Sequence, residues 1–155
     1  MSDPASIWSP LRIGATEVSH RIMVKGHSPY SAEDNLLSDR HIAYYTARAQ
    51  GGVALQIPAG HVAHWLRKGT GTVGSIAWDE RVIPRFARLA DSVHAYDSSS
   101  FVLLFAPGAR DRGTDHIDHF HELWSPSAIP SAGDGEMPVA MDQSQIDDVV
   151  AGFAS

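Results

Sequence analysis

The chain has 155 residues, of which 43% are hydrophobic and 19% charged, and its formal net charge is −6 at pH 7. This length and composition predict one globular domain with a hydrophobic core and argue against disorder. The acidic balance and the scattered basic residues argue against a general nucleic-acid-binding protein, and the absence of cysteine excludes disulfides, thiolate metal sites and cysteine-held iron–sulfur clusters.

No stretch of the chain has the composition of a targeting or membrane segment. The first thirty residues lack a basic start followed by an apolar run. No window approaches the ~20 apolar residues that a membrane helix needs. The chain is therefore expected to be soluble and cytoplasmic, with neither a membrane nor nucleic acid as a partner.

The residues before position 30 predict a hairpin followed by the first strand of a core. Apolar side chains flank Pro10, and a turn at Gly14 leads to Val18, a pattern typical of a small hairpin. The short, mostly apolar run Arg21–Val24 predicts the first core strand. Lys25–Pro29 follows directly, so a polar and flexible segment is expected at the carboxyl end of that strand.

The next segment predicts a helix that leads into a second buried strand. Ser38 or Asp39 can cap a helix that runs to about Gln50, and Gly51–Gly52 can supply the left-handed turn that ends it. Val53–Ile57 has a single polar member, whereas a half-buried strand would alternate apolar and polar residues. This strand is therefore expected to be covered on both faces, as in a parallel sheet wrapped by helices.

A second loop, helix and strand are predicted to follow. The glycine-rich stretch His61–Trp78 has no sustained period and predicts a long loop. Asp79–Tyr96 predicts a helix, Ser98–Ser100 a turn and Phe101–Phe105 a third buried strand. The buried stripe expected on the helix consists of Ile83, Phe86, Leu89, Ala90 and Val93.

The last part of the chain predicts another loop and a third helix. Ala106–Ala140 is rich in proline and glycine and is expected to be a long loop. Asp142 and Gln145 have the spacing of a capping box. The helix that they begin is expected to be amphipathic, with an apolar face made of Ile146, Val149, Val150 and Phe153.

Three successive strand, loop and helix units indicate a parallel β/α architecture. An open sheet and part of a closed barrel both fit this order, and the pattern alone does not choose between them. In either arrangement the long loops follow the strands, which is the side on which such folds build their sites.

Six segments, in order along nearly the whole chain, resemble the N-terminal portion of the old yellow enzyme family. These are the FMN-dependent NADH:flavin oxidoreductases, which include 2,4-dienoyl-CoA reductases and amine dehydrogenases. The resemblance implies a (β/α)8 TIM barrel, which takes about 250 residues or more. Residues 1–155 would then form a single incomplete barrel domain, with the first three β/α units and an N-terminal hairpin. The matching segments are Ser9–Gly14, His20–Val24, Tyr44–Leu55, Trp78–Glu80, Arg88–His94 and Ser125–Pro130.

The resemblance also implies a cofactor and the residues that would contact it. FMN would lie over the carboxyl ends of the strands, with NAD(P)H as the reductant. Its near ring edge would contact Lys25, Gly26, His27 and Ser28 after strand one, and Gly60 after strand two. Backbone amides and a small hydroxyl suit a ring that presents carbonyl oxygens and nitrogens, and the hydroxyl of Ser28 is expected to tune the ring electronically.

The chain departs from the family in three respects. Relatives place a glutamine, sometimes a glutamate, on strand three, where this chain has Leu103 or Leu104, neither of which can make that hydrogen bond. Lys25 and Gly26 replace a small apolar residue and a proline. The family's substrate-binding histidines, catalytic tyrosine and phosphate-binding loops belong to later strands, so no catalytic residue is expected in this chain.

The resemblance supports two functional hypotheses. In the first, the chain is the N-terminal fragment of an FMN-dependent NAD(P)H oxidoreductase acting on an enone or enoyl thioester, and it is inactive alone. In the second, it is a non-catalytic remnant or an assembly subunit that pairs with a chain supplying the remaining strands. An incomplete barrel leaves apolar surface in water, which predicts marginal stability or self-association.

Other polar constellations carry weaker functional hypotheses. A metal site is not predicted in the run Asp115–Glu122, which is interpreted as a solvated loop. Gly69–Gly74 matches a dinucleotide fingerprint superficially, but no strand directly precedes it. His61 and His64 are interpreted as polar loop residues rather than as a substrate entrance. The same interpretation applies to Lys68, Arg110 and Arg112.

Overall fold

The computed structural model describes residues 4–58, 61–64, 75–111, 113–114, 120–132 and 135–154. Its α-helices are α1 (Asp39–Gln50), α2 (Ile83–His94) and α3 (Gln143–Ala154). Short 3-10 turns occupy Pro4–Trp8, Glu80–Val82 and Gly108–Arg110. Within these ranges, no helix is long and apolar enough to cross a membrane.

The chain begins with the predicted hairpin. Strand β1 (Leu11–Ile13) pairs antiparallel with β2 (Thr16–Val18). Gly14 lies in the connecting turn with φ +61°, a conformation that glycine adopts without steric cost. Val18 is buried with Ala54 and Leu55, so the hairpin packs against the sheet that follows.

Helix α1 has the predicted start and end. The Ser38 hydroxyl accepts from the His41 amide, and the Ser38 amide donates to His41 Nδ1, which forms a reciprocal capping box. The left-handed turn after the helix falls on Gly52, at φ +83°. The buried face of α1 packs against Leu89 and Val93 of α2, through Leu37, Ile42, Tyr45 and Ala49.

The prediction that Ile83 belongs to the buried stripe of α2 is wrong. Its side chain is 64% exposed, although Leu89 and Val93 are buried as expected. Asp79 caps a 3-10 turn before α2 begins, and Val82 at the end of that turn is the buried residue. The apolar stripe therefore starts one residue before the helix.

The core strands pair in parallel. Strand β4 (Leu55–Gln56) lies between β3 (Met23–Val24) and β7 (Ser99–Ser100). Strand β5 (His61–Val62) lies between β6 (Ser75–Ile76) and β8 (Leu104–Phe105). Four residues separate β4 from β5 but three separate β7 from β8, so the register between these two segments shifts by one residue.

Two predicted loops and one predicted turn contain strands instead. Residues His61–Val62 and Ser75–Ile76 form β5 and β6, and Ser99–Ser100 forms β7. The later loop contains β9 (Trp124–Ser125) and β10 (Val139–Ala140), which pair in parallel. Each strand has only two residues, too few for a periodic pattern. Its conformation is set by backbone pairing rather than by side-chain propensity.

The third strand is not buried, contrary to the prediction for Phe101–Phe105. The exposed fractions of Val102, Leu103 and Leu104 are 51%, 42% and 39%. Both β7 and β8 are edge strands among the described residues. Each of them therefore has a neighbouring strand on one side only among the described residues.

Helix α3 has the predicted capping box and is docked on the end of β5. The Asp142 amide donates to Gln145 Oε1 and the Gln145 amide to Asp142 Oδ1, each over 2.9 Å. Farther along, His64 Nε2 lies 3.0 Å from Asp148 Oδ2. A Cβ added at Gly152 would lie 2.9 Å from His64 Cδ2, so only glycine permits this approach.

A buried histidine lies between the sheet and α2. His61 is fully buried, its ring packs on Phe86 with centroids 4.6 Å apart, and its Nδ1 is hydrogen bonded to the Ser75 hydroxyl. Within the described ranges, His61 Nε2 has no hydrogen-bond partner. Burial, followed by the charge of the nearby His41, lowers the pKa of His61 to about 4.

This pKa predicts loss of stability in acid. An unfolded chain would take up a proton on His61 near pH 6.5, whereas the folded chain resists it down to about pH 4. The contribution of neutral His61 is therefore complete above pH 6.5 and is lost as the pH falls towards 4. The difference corresponds to roughly 3 kcal/mol of unfolding free energy.

Urea denaturation between pH 4 and 7 would measure this effect. The His61→Asn variant should lose less unfolding free energy over this interval than the wild type. His94→Asn, on the exposed end of α2, serves as the control and should follow the wild-type profile. Parallel profiles for wild type and His61→Asn would contradict the prediction.

Candidate functional site

The segment Lys25–Ser28 lies directly after β3, at its carboxyl end. A Cβ added at Gly26 would lie 3.0 Å from Leu103 Cδ2 and 3.7 Å from Ile57 Cγ2. Ile57 follows β4 and Leu103 precedes β8, so Gly26 touches side chains from the two neighbouring strand segments. The ends of three strand segments therefore meet at this glycine.

Of the two leucines on the third segment, Leu103 faces Gly26. Neighbouring residues of an extended chain project to opposite sides, so Leu104 points the other way. Any ligand placed over Gly26 would meet the methyl groups of Leu103. Gly60, predicted to contact the same ligand, lies outside the described residues.

The imidazole of His27 is held by α1. Its Nε2 lies 2.5 Å from the Tyr44 hydroxyl oxygen, and its Nδ1 lies 2.9 Å from the carbonyl oxygen of Lys25. The Tyr45 hydroxyl donates to the His27 carbonyl oxygen over 3.4 Å. Because these contacts engage both ring nitrogens, a ligand at the strand ends would meet the backbone of His27 and not its imidazole.

Tyr44 is itself fixed by its helical neighbour Arg48. The guanidinium carbon of Arg48 lies 3.2 Å from the centroid of the Tyr44 ring, and Arg48 Nη1 donates to the Tyr44 carbonyl oxygen over 2.7 Å. Sequence reasoning did not assign Tyr44 or Arg48 to the site. The available signal was the adjacent pair Tyr44–Tyr45, of which only Tyr45 fits the buried face of the helix.

Lys25 and Ser28 have exposed side chains. Neither side chain has a hydrogen-bond partner within the described part of the chain. The ammonium and the hydroxyl are thus both accessible beside Gly26. Together the segment offers one positive charge, one hydroxyl and a closely packed glycine backbone at the strand ends.

His61 is not a polar loop residue, contrary to that interpretation of the sequence, whereas His64 does lie in the bend after β5 but is buried there. His61 is buried in β5 against α2, and His64 is buried beside Asp148 of α3. Both belong to the packing between the sheet and the helices. His61 has no exposed surface, so it cannot line a substrate entrance.

A separate cavity of about 230 Å³ lies beneath α3. Its polar members include His64 and the pair His121–Asp111, whose Nε2 and Oδ2 atoms are 3.3 Å apart. Most of the remaining lining is apolar: Ala106, Pro107, Leu123, Trp124, Pro126, Met141 and Val149. None of the residues Lys25–Ser28 lines it, so it is distinct from the strand-end site.

The remaining candidates from the sequence lie largely outside the described residues. This applies to His116, His119, Lys68, Arg112 and the glycines of the stretch 69–74. Within the described ranges, no group of three or more His, Asp or Glu side chains could hold a metal ion. The site therefore rests on Lys25–Ser28 and Leu103.

The chain is similar to curated enzymes over nearly all of its length. It is 31% identical to a metal reductase from Desulforamulus reducens, covering 96% of this chain and 21% of that protein. It is 28% identical to an NADPH dehydrogenase from Listeria monocytogenes, covering 96% of this chain and 43% of that protein. The chain thus spans less than half the length of these relatives.

Solved structures share the fold. Old yellow enzyme from Pichia sp. matches with a TM-score of 0.80 and 18% identity, covering 95% of this chain and 40% of that one. Morphinone reductase matches with a TM-score of 0.83 and 17% identity, covering 95% of this chain and 42% of that one. The α/β fold is therefore that of the corresponding part of these proteins.

The comparisons confirm the resemblance predicted from the six sequence segments. The family model described as NADH:flavin oxidoreductase / NADH oxidase matches residues 6–155. The matched range includes β3, the segment Lys25–Ser28 and all three α-helices. The chain belongs to the NADH:flavin oxidoreductase / NADH oxidase family.

Proposed function

We propose that residues 1–155 supply the first three β/α units of a flavin-dependent oxidoreductase barrel and part of the binding surface for the FMN ring. The observation that carries the proposal is the contact of Gly26 with Ile57 and Leu103. It assembles the carboxyl ends of three strand segments at one point. This is the side on which parallel β/α folds bind ligands.

The residues at this point fit one edge of a flavin. A side chain at position 26 would press on Leu103, so the glycine lets the strand ends pack closely and leaves the backbone of this segment uncovered by a side chain of its own. The exposed hydroxyl of Ser28 can donate to a ring carbonyl or nitrogen, and Lys25 places a positive charge nearby. Gly60 is proposed to complete this edge from the second strand.

Leu103 does not fit the pyrimidine side of the ring. That side presents amide-like donors and acceptors, and a leucine leaves them without a partner. We therefore propose that the chain binds the ring weakly, through one edge and through apolar contact. FMN, when bound, supplies hydride chemistry between NAD(P)H and an acceptor such as an enone or enoyl thioester.

The chain itself is proposed to orient the cofactor and to contribute no catalytic residue. Lys25, Gly26, His27, Ser28 and Gly60 would hold the ring, and none of them is proposed to act as a proton donor to a substrate. Purified chain mixed with FMN and NADH should therefore show weak flavin binding and no NADH oxidation. Tight stoichiometric binding or turnover would refute this limitation.

Restoring an amide at Leu103 should strengthen flavin binding. In Leu103→Gln the new amide faces the same side as Gly26 and can hydrogen bond to the ring. One net hydrogen bond of about 1 kcal/mol corresponds to roughly fivefold tighter binding. Titration followed by flavin fluorescence measures the change.

Leu104→Gln is the matched control. It adds the same amide one residue later, on the opposite side of the segment, and should leave flavin affinity unchanged. Equal gains for Leu103→Gln and Leu104→Gln would show that Leu103 does not face the ring.

The exposed apolar side chains favour a second role as an assembly subunit. Val102 on the third strand segment and Val150 on α3 are 51% and 62% exposed. The backbone edge of β7 and β8 is also unpaired among the described strands. We propose that these surfaces pair with a second copy of the chain or with a chain carrying further strands of the barrel.

Self-association would be visible at micromolar concentration. Sedimentation velocity should show species larger than the monomer for the wild type. Val102→Lys combined with Val150→Lys should shift the population towards monomer, because charge on these surfaces opposes their burial. Ala43→Lys, on the exposed side of α1, is the control. A wild-type monomer with a sharp two-state melt would contradict self-association.

A further inference from the structure

The hydrogen bonds of His27 define the tautomer of its ring. The Lys25 carbonyl oxygen can only accept, so His27 Nδ1, at 2.9 Å, must carry a proton. In a neutral imidazole the other nitrogen then accepts, so the Tyr44 hydroxyl donates to His27 Nε2. The Lys25 carbonyl thus fixes the tautomer, and Tyr44 stabilises it by donating to the nitrogen that carries no proton.

These contacts also set the direction of two backbone amides. The carbonyl oxygen of Lys25 points to the His27 ring, and that of His27 points to the Tyr45 hydroxyl. No peptide bond among the described residues is cis. In a trans peptide the C=O and the following N–H point in opposite directions. The amides of Gly26 and Ser28 therefore point away from the side chains that hold those carbonyls.

Neither amide is used by the described protein. The amides of Gly26 and Ser28 donate no hydrogen bond to any other described residue. They are two residues apart on a segment whose glycine already contacts Leu103 at the strand ends. These two N–H groups have no acceptor among the described residues and belong to the same segment. They can therefore donate to the carbonyl oxygen and the neighbouring nitrogen of one flat heterocyclic ring.

We infer that Tyr44, acting through His27, is a positioning residue that aims the Gly26 amide at the ligand of the strand-end site, next to the Ser28 amide whose direction Tyr45 sets. The inference rests on the proposed function, because the ligand is the acceptor edge of the flavin ring. Tyr44 does not touch that ligand. It acts by holding the His27 ring, and Arg48 holds Tyr44 by stacking on its ring at 3.2 Å.

The decisive variant is Tyr44→Phe, which removes one hydroxyl and keeps the ring under Arg48. Nitrogen-15 NMR of the wild type should show His27 with its proton on Nδ1. In Tyr44→Phe this signature should weaken, and the amide signal of Gly26 should shift or broaden more than that of Ser28, whose preceding carbonyl is still held by Tyr45. Far-ultraviolet circular dichroism checks that α1 persists.

A flavin titration of the same samples links the geometry to binding. FMN should shift the Gly26 and Ser28 amide signals of the wild type, and Tyr44→Phe should need about fivefold more FMN for the same shift. His27→Leu, which keeps a bulky side chain and removes both ring hydrogen bonds, should weaken binding further. Should Tyr44→Phe fail to fold, His27→Leu provides the same test from the other partner.

Tyr96→Phe is the matched control. It also removes one tyrosine hydroxyl, which accepts from Gln50 Nε2 over 2.9 Å at the far end of α1. It should leave both the His27 tautomer and the FMN titration at their wild-type values.

The outcomes separate the inference from the proposed function. A wild type whose Gly26 and Ser28 signals do not respond to FMN refutes the proposed function. A wild type that responds, with an unchanged His27 tautomer or unchanged FMN titration in Tyr44→Phe, refutes the positioning role alone. If Tyr44→Phe loses both the His27 Nδ1 proton signature and FMN affinity, the result supports both the positioning role and the proposed function.

Discussion

The pairing of β4 with β3 on one side and β7 on the other is the constraint on which the site depends. Parallel pairing aligns the carboxyl ends of all three strand segments, and the polar stretch Lys25–Ser28 can begin only there. Gly26 then fits against Ile57 and Leu103 because it has no side chain of its own. The geometry of the site is thus determined by the pairing of the strands and not by any single polar residue.

Sequence reasoning worked where a signal was local. The cap at Asp142 was predicted outright, while Ser38 and the left-handed Gly52 were each one of two adjacent residues that the prediction allowed; all three are decided within one turn of chain. It failed where pairing with a distant segment decides the conformation. Ser99–Ser100 has the composition of a turn, yet the Ser99 amide donates to the Ala54 carbonyl over 2.8 Å and the segment becomes a strand.

The candidate site was only partly visible in the sequence for a similar reason. Family resemblance drew attention to Lys25–Ser28, since that segment follows the matching stretch His20–Val24. It could not reveal that His27 turns towards α1, because the partner Tyr44 is seventeen residues away and its choice depends on how the helix packs. It also left Leu103 and Leu104 equivalent, a choice that needed the register of the third segment.

The one-residue register shift between the second and third strand segments has a consequence for side-chain orientation. Gln56 Nε2 donates to the Tyr45 carbonyl and His61 packs on Phe86, so both side chains lie in the layer of α1 and α2. They are five positions apart, and an odd separation along an uninterrupted strand would put them on opposite faces. The connection between β4 and β5 has one more residue than the connection between β7 and β8, and with that extra residue the two side chains lie on the same face. Removing one residue from the connection between Pro58 and His61 would leave the two side chains four positions apart, an even separation that a regular strand accommodates with both on one face, as the paired segment from Ser100 to Leu104 does.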